Sequence, residues 1–216
     1  MSKQITTPKR SDGLQTMARL LEQAKVELEN HGSEHFDVDA VLERAKAARS
    51  SLYHHFGSKS DLIYEAQLQQ ITDGLFSDNQ LLRTLVELSP SMEDFLAVFS
   101  GFVRTTSDPQ FVALRQRRVQ VLASATQNPR LAEAIREAQV FGIQYFADTL
   151  QILADRGWID PPLDLLSVSY LLQGMIFGHI ILDFSVLPEV APGWAEAAIM
   201  TMLHLTGARV AYIPPA

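Results

Sequence analysis

The 216-residue chain is long enough and apolar enough, at 47% hydrophobic residues, to bury a substantial core. It contains no cysteine, which excludes disulfide bonds, thiolate metal sites and thiol catalysis. The formal net charge is −7, but it is uneven: residues 1–60 carry nine Lys and Arg against eight Asp and Glu, whereas residues 61–216 carry nine against seventeen. An acidic body with a near-neutral, locally basic end suits a protein that contacts nucleic acid at that end only.

Helical periodicity extends over almost the whole chain, and strand patterns are nearly absent. We therefore predict an all-α fold of about nine helices. The expected spans are 12–30, 38–45, 49–55, 59–87, 92–106, 109–125, 129–156, 162–186 and 192–208. The N-terminal stretch is polar and has no apolar signal region, so residues 1–11 are expected to form a flexible arm. The rest of the chain is expected to divide into an N-terminal domain at 12–60 and a body at 61–216.

The second and third predicted helices have the pattern of a helix-turn-helix. Asp37 is placed to cap the second helix, and Phe36 to pack on Val41. The third helix turns Leu52 and Phe56 inward and leaves polar side chains facing outward. The outward residues are Arg49, Ser50, Ser51, Tyr53, His54 and His55. Guanidinium, hydroxyl, phenol and imidazole groups reach phosphate oxygens and base edges, so this helix is predicted to enter a DNA groove.

The run LYHHFGSKSDL at residues 52–62 closely resembles the TetR family of bacterial transcriptional regulators. The resemblance implies that Tyr53, His55 and Lys59 hold phosphates. It also implies that Arg49 and His54 read bases, with Ser51 in support. It further implies a dimeric repressor that grips a near-palindromic operator and is released by a small-molecule effector bound in the body.

Three residues depart from the family pattern around the turn. Lys46 stands where the turn usually has glycine, and a left-handed backbone costs another residue about 1 kcal/mol. Ala48 stands where a Ser or Thr usually caps the recognition helix, a loss of about 1 kcal/mol. Asp39 is expected close to a phosphate. These departures predict either a slightly different turn geometry or a DNA-binding domain (the head, residues 12–60) that is less preorganised and tightens on DNA.

The body contains dispersed aromatic residues that predict either a packed core or an aromatic-lined cavity, and the family resemblance implies an inducer pocket here. On a helical wheel, Arg115 and Arg118 fall within the apolar face of their helix. A buried guanidinium needs an anion or carbonyl groups, so each arginine is expected either in an internal salt bridge or against the acidic group of an effector. The candidate ligand-binding residues are Phe99, Phe111, Arg115, Arg118, Phe141, Tyr145 and Phe177.

The last two long helices predict a homodimer surface within residues 162–208, because each has a large apolar ridge. The first ridge comprises Leu166, Tyr170, Gly174, Phe177, Gly178 and Ile181, and the second comprises Trp194, Ala197, Ala198, Met202 and Leu205. Residues 165–182 contain no Asp, Glu, Lys or Arg, but polar residues interrupt them and no basic cluster flanks them. A buried helix of a cytoplasmic protein is therefore expected rather than a membrane span.

No arrangement of residues predicts catalysis, a cofactor or a metal. His179 and Asp183 lie four residues apart, but no nucleophile accompanies them, so a core or interface histidine is favoured. His31, Glu34 and His35 fall in a polar linker and favour a solvated loop over a metal site. The alternatives that remain are an all-α ligand-binding protein or enzyme with a degenerate head, and a head that acts through protein partners.

Overall fold

The computed structural model describes residues 9–182 and 191–213, and in these residues it is entirely helical. The helices are α1 (Lys9–His31), α2 (Val38–Ala45), α3 (Arg49–Phe56), α4 (Lys59–Leu88), α5 (Met92–Ser107), α6 (Val112–Ala125), α7 (Pro129–Asp155), α8 (Leu165–Leu182) and α9 (Ala191–Thr206). A 3-10 turn at Pro109–Phe111 precedes α6. The predicted all-α fold of about nine helices is confirmed. Helix α1 begins three residues earlier than expected, and the rest of the predicted arm, residues 1–8, lies outside the described residues.

Local capping chemistry sets most of the helix boundaries. The Asp37 carboxylate accepts hydrogen bonds from the backbone N–H groups of Asp39 and Ala40, at 2.9 and 3.2 Å. Asn128 accepts one from the N–H of Leu131 at 3.1 Å and thereby starts α7. Helix α8 begins at Leu165 rather than at 162, because the Asp164 carboxylate, 2.8 Å from the N–H of Ser167, provides its cap.

The chain forms two compact units that divide within α4, between Ile71 and Thr72. The sequence placed this boundary at residue 60, where α4 begins. The first part of α4 belongs to the N-terminal unit because Leu62 and Ala66 are buried in the same core as Leu52 of α3. The core of this unit is built mainly by α1, α2, α3 and the start of α4.

A buried carboxylate also links α1 to α2. Glu27 is 1% exposed and accepts hydrogen bonds from Arg44 at 2.5 Å and from the backbone N–H of Asp37 at 3.2 Å. His31 lies 3.0 Å away on the same helix. Burial alone would raise the pKa of Glu27, but these partners outweigh it and leave the pKa lowered. The carboxylate therefore fixes the start of α2, on which the orientation of the turn depends.

The C-terminal unit, from Thr72 onward, has a core of residues from α4, α5, α7, α8 and α9. Helix α8 faces this core with Val168 and Leu172. None of the helices in the described residues is long and apolar enough to cross a membrane. Helix α8 is thus an apolar helix whose inner side packs in the core of this unit.

Candidate nucleic-acid interface and ligand cavity

Helix α3 presents its polar residues on one exposed side. Leu52 and Phe56 are buried, as the sequence predicted, at 1% and 8% exposure. Arg49, Ser50, Tyr53, His54 and Lys59 are exposed, whereas Ser51 and His55 are half-buried. All seven candidate DNA-binding residues thus lie on α3 or at the first residue of α4, where they are accessible to a duplex.

The turn before α3 has the strained geometry that the sequence indicated. Lys46 has φ 49° and ψ 47°, and it is the non-glycine residue with a positive φ in the described part of the chain. Its N–H donates to the carbonyl of Glu43 at 3.1 Å. Ala48 occupies the N-cap position of α3 and offers no side-chain hydrogen bond. The departures from the family pattern therefore leave the turn intact but remove two stabilising features.

An ion pair joins the candidate base reader to α2. The guanidinium of Arg49 donates a hydrogen bond to the Asp39 carboxylate, and both side chains are more than half exposed. Because of this bond, the pKa of Arg49 is raised above its ordinary value. The carboxylate compensates a positive charge that a phosphate or a guanine would otherwise attract.

Two of the candidate phosphate ligands also have structural contacts. The Lys59 ammonium donates to the Phe36 carbonyl at 2.7 Å and lies 5.6 Å from the centre of the Phe36 ring. A Cβ added at Gly13 of α1 would lie 3.7 Å from His55 Cε1, so α1 passes close to that imidazole. The Phe36 carbonyl thus holds the Lys59 ammonium at a fixed position, and the His55 imidazole lies beside α1.

The C-terminal unit contains a partly open cavity of about 250 Å³. Five of the seven candidate ligand residues line it: Phe99, Phe111, Arg115, Arg118 and Phe177. Phe141 and Tyr145 are not among its lining residues. Phe141 is half exposed on α7, and the Arg83 guanidinium lies over the Tyr145 ring at 5.3 Å. Phe141 and Tyr145 are aromatic, like many residues that line the cavity. Residue type alone therefore could not show that these two lie on another side of α7.

Several cavity residues were missed by the sequence reasoning. Trp194 lies stacked on His179 with ring centroids 3.7 Å apart, and both line the cavity. Asp78, Asn79 and Gln173 add polar groups from α4 and α8. The sequence shows that Gln173, Phe177 and His179 are close together on α8. It does not show which residues of α4 and α9 lie near them, because that depends on tertiary packing.

The two inward arginines lie at the polar side of this cavity. Arg118 pairs with Asp78 of α4 at 3.0 Å. Arg115 is only 7% exposed and donates from Nη1 to the carbonyl of Asp108 at 3.1 Å. A Cβ added at Gly74 would lie 2.8 Å from Arg118 Nη2, so the guanidinium rests directly on α4. Arg118 has the internal salt bridge that was one of the two expectations.

The outer side of α8 is exposed and apolar. Leu166, Tyr170 and Ile181 are 49%, 71% and 66% exposed, and a Cβ added at Gly174 or Gly178 would meet no atom within 4 Å. The ridge expected on α9 is not a surface ridge. Its members Trp194, Ala198 and Met202 face inward, because they pack in the core or line the cavity. Ala197 is the one exposed member of the expected ridge, and it shares the exposed side of α9 with Met200, Thr201 and His204.

The described residues include no group of three or more His, Asp or Glu side chains that could hold a metal ion. His31 pairs with Glu27, which accounts for one of the three residues considered for a metal site. Asp183, considered together with His179, lies outside the described residues.

Residues 20–66 match the family model of the bacterial regulatory proteins of the tetR family. Comparison with curated protein sequences gives no match. A TetR-family transcriptional regulator structure from Mesorhizobium loti MAFF303099 superposes with TM-score 0.72 at 20% identity, over 91% of this chain and 98% of that chain. GusR of Salmonella enterica gives TM-score 0.64 at 20% identity, over 94% and 99%. A transcriptional regulator from Saccharomonospora viridis in complex with choline gives 0.67 at 16% identity, over 91% and 100%.

Proposed function

We propose that the chain is a TetR-like transcriptional regulator, a homodimeric repressor released from its operator by a small molecule; the match of residues 20–66 to the tetR family model and the shared fold support this. The observation that supports DNA binding most directly is the outward side of α3. Arg49, Tyr53 and His54 are exposed there on a helix anchored from behind by Leu52 and Phe56. A helix anchored in this way can enter a major groove without unfolding its own core.

The contacts proposed for this helix divide by chemistry. Tyr53, His55 and Lys59 are assigned to phosphates, and Lys59 lies at the N-terminus of α4, where backbone N–H groups also attract anions. Arg49 and His54 are assigned to base edges, with Ser50 and Ser51 beside them. Each assignment predicts its own result: loss of a phosphate contact weakens binding to all sequences, whereas loss of a base contact relaxes specificity.

The proposed dimer forms through the outer sides of α8 and α9. Large apolar side chains such as Tyr170 and Ile181 are exposed together on α8, and Gly174 and Gly178 leave room for close approach of a second helix. A monomer would leave this continuous apolar strip in water. A two-fold dimer supplies two copies of α3, which fits a near-palindromic DNA site. Such a regulator would act in the bacterial cytoplasm.

The cavity of the C-terminal unit is the proposed effector site. Helix α4 begins at Lys59, beside the end of α3, and contributes Asp78 and Asn79 to the cavity lining. One helix therefore belongs both to the DNA-binding domain and to the effector site. An effector releases DNA only if it binds the DNA-incompetent conformation more tightly, since equal affinity for both conformations shifts nothing.

Salt-dependent binding to a DNA fragment from the protein's own upstream region tests the proposal. Tyr53→Phe keeps the aromatic ring and removes one hydrogen-bond donor from each head. We expect a loss of roughly tenfold in affinity for every DNA sequence. Tyr145→Phe removes the same hydroxyl from α7 and should leave DNA affinity unchanged. A binding constant that does not vary with salt, or no binding to any palindrome, would contradict DNA recognition and favour the ligand-binding or partner-binding alternatives.

A further inference from the structure

The cavity of the C-terminal unit is apolar over most of its wall. Six aromatic rings line it, from Phe99, Phe102, Phe111, Phe146, Phe177 and Trp194. A molecule that fills this space must therefore be largely hydrophobic, with few polar groups placed where the wall can receive them. The polar residues of the wall then decide which chemical group that molecule carries.

The two arginines of the wall already have partners within the protein. Arg118 pairs with Asp78 at 3.0 Å, and Arg115 donates to the carbonyl of Asp108 at 3.1 Å. A ligand that bound either guanidinium would have to displace an existing partner, so one hydrogen bond would be exchanged for another with little net gain. Neither arginine by itself therefore specifies a charged effector.

Gln173 of α8 is the polar residue of the wall that lacks such a partner. It is only 9% exposed, and it lines the cavity. In the part of the chain that the structure describes, its carboxamide takes part in no hydrogen bond. A buried amide in this condition is costly, so buried amides normally have partners. The carboxamide of Gln173, with two N–H donors and one carbonyl acceptor, is therefore available to a molecule in the cavity.

A second carboxamide, that of Asn79 on α4, lies close to Gln173. A Cβ added at Gly142 of α7 would lie 3.4 Å from Asn79 Nδ2 and 3.9 Å from Gln173 Nε2. Both amide nitrogens thus approach one place, where α7 has no side chain. Asn79 donates to the Gly142 carbonyl at 3.4 Å, which is long for such a bond. Two donors that converge in this way suit a carbonyl oxygen, whose two lone pairs can accept from both.

We propose that the effector is an uncharged, mainly hydrophobic molecule with a primary amide or lactam group that binds Gln173 and Asn79. This inference rests on the proposed function, in which the cavity is the effector site. The amide oxygen accepts from Asn79 Nδ2 and Gln173 Nε2, and the amide N–H donates to Gln173 Oε1. A ketone supplies the oxygen without the donor. A carboxylate supplies no donor either, and it loses its hydration on entering an apolar cavity.

This binding mode gives the effector a means of acting on α4. The Asn79 side chain joins α4 to α7 through its long bond to the Gly142 carbonyl. A ligand oxygen at ordinary hydrogen-bond distance competes with that carbonyl for the same N–H group. The ligand therefore binds better to a conformation in which the bond between α4 and α7 is open. This is the difference in affinity that an effector requires.

Probes of one shape test the chemical class. Phenylbutyramide, the methyl ketone in which a methyl group replaces its NH₂, and phenylbutyrate differ only in the head group. The Trp158→Phe variant leaves Trp194, which lines the cavity, as the remaining tryptophan, so its fluorescence reports binding. We expect phenylbutyramide to bind at least about tenfold more tightly than either of the others, because only the amide satisfies both ends of the Gln173 carboxamide. A smaller preference over the ketone, tighter binding of phenylbutyrate, or no binding of phenylbutyramide at millimolar concentration would overturn the inference.

Substitutions separate the roles of the two carboxamides. Gln173→Met should lower phenylbutyramide affinity at least about tenfold and abolish its preference over the ketone. Gln144→Met, at an exposed position of α7, is the matched control and should change neither. Asn79→Leu removes a donor that serves only the carbonyl oxygen, so it should weaken amide and ketone binding equally, by roughly several-fold. A Gln173→Met variant that keeps the preference for the amide would refute the assignment.

The stability of the ligand-free protein provides a second measurement on the same variant. Gln173→Met replaces an unpaired buried amide by an apolar side chain of similar length, so it should raise the melting temperature. Gln144→Met should leave the melting temperature unchanged. A Gln173→Met variant that melts no higher than the wild type, or that fails to fold, would show that the fold already uses this carboxamide and would reject the inference.

DNA binding is measured separately, so that failure of this inference is distinguishable from failure of the proposed function. Selective amide binding by a protein that binds no DNA would support the cavity assignment and reject the regulator. DNA binding by a protein that does not prefer the amide would support the regulator and reject the amide effector.

Discussion

Replacing Asp39 by Asn should make this protein bind DNA more tightly and less selectively. Asp39 accepts a hydrogen bond from Arg49 on the exposed side of the head, so each recognition helix has one guanidinium already compensated. The amide preserves the size of the side chain, and Asp37, which caps α2, is untouched. The substitution removes both the competitor for Arg49 and a negative charge that repels phosphates.

The expected size of the effect follows from the exposure of the pair. Exposed ion pairs alter an equilibrium by roughly two- to fivefold, so two heads should together give about tenfold tighter binding. If each freed Arg49 takes one phosphate, the slope of log K against log salt steepens by about 0.9 per head, or about 1.8 per dimer. Binding to unrelated DNA should gain at least as much as binding to the operator, because a freed guanidinium finds a phosphate on any sequence.

Fluorescence anisotropy with an operator fragment and a scrambled fragment, over a range of salt concentrations, measures both quantities. Glu34→Gln is the matched control, since it removes the same charge from the connection between α1 and α2. Weaker operator binding by Asp39→Asn, with an unchanged salt slope, would refute the reasoning. In that case Asp39 orients Arg49 for DNA instead of competing with it.

Three further substitutions test the head and the dimer. Glu27→Gln should lower the free energy of unfolding by about 3 kcal/mol in urea denaturation, because Arg44 loses its charged partner. The lowered pKa of Glu27 means that this stabilisation is complete above its ordinary value of 4.5 and is lost as the pH falls further, so the gap between wild type and variant should close in acid. A gap that is constant with pH would contradict this. Ala48→Ser should raise the free energy of unfolding, measured by thermal denaturation, by about 1 kcal/mol, because the serine hydroxyl would cap α3. No gain would mean that the first backbone N–H groups of α3 already have partners. Ile181→Asp should weaken the dimer about a hundredfold or more in sedimentation, and Leu88→Asp, on an even more exposed residue of α4, should not. A dimer unaffected by both would place the interface elsewhere.

The sequence predicted the helices well because their ends depend on neighbouring residues. Asp37 and Asn128 cap helices through N–H groups two or three residues away, and Gly157, with φ 70°, ends α7. The positive φ of Lys46 was expected from the family resemblance, because Lys46 stands where the turn of that family usually has glycine. Interactions between residues within about one helical turn therefore determine where these helices begin and end.

Contacts between distant parts of the chain were not predictable in the same way. Lys59 bonds to the carbonyl of Phe36, and Arg118 finds Asp78 forty residues earlier. The wheel identified Arg118 as inward but could not name its partner, because the partner depends on which face of α4 meets α6. The error on α9 has the same origin: a helix apolar on most sides does not specify which side meets the core.

Features of the head that weaken DNA binding also reduce the difference in affinity between conformations that an effector must supply. Reversing a two-state equilibrium from 99:1 to 1:99 requires about 5.5 kcal/mol of differential binding, and a small hydrophobic molecule has only a few contacts from which to draw it. The Asp39 carboxylate on Arg49 is expected to lower the affinity for DNA by a modest factor, whereas the strained Lys46 and the uncapped Ala48 lower the stability of the turn. In the proposed dimer the factor from Asp39 acts twice. A head whose DNA affinity is lowered in this way needs an effector with a smaller difference in affinity between the two conformations for release.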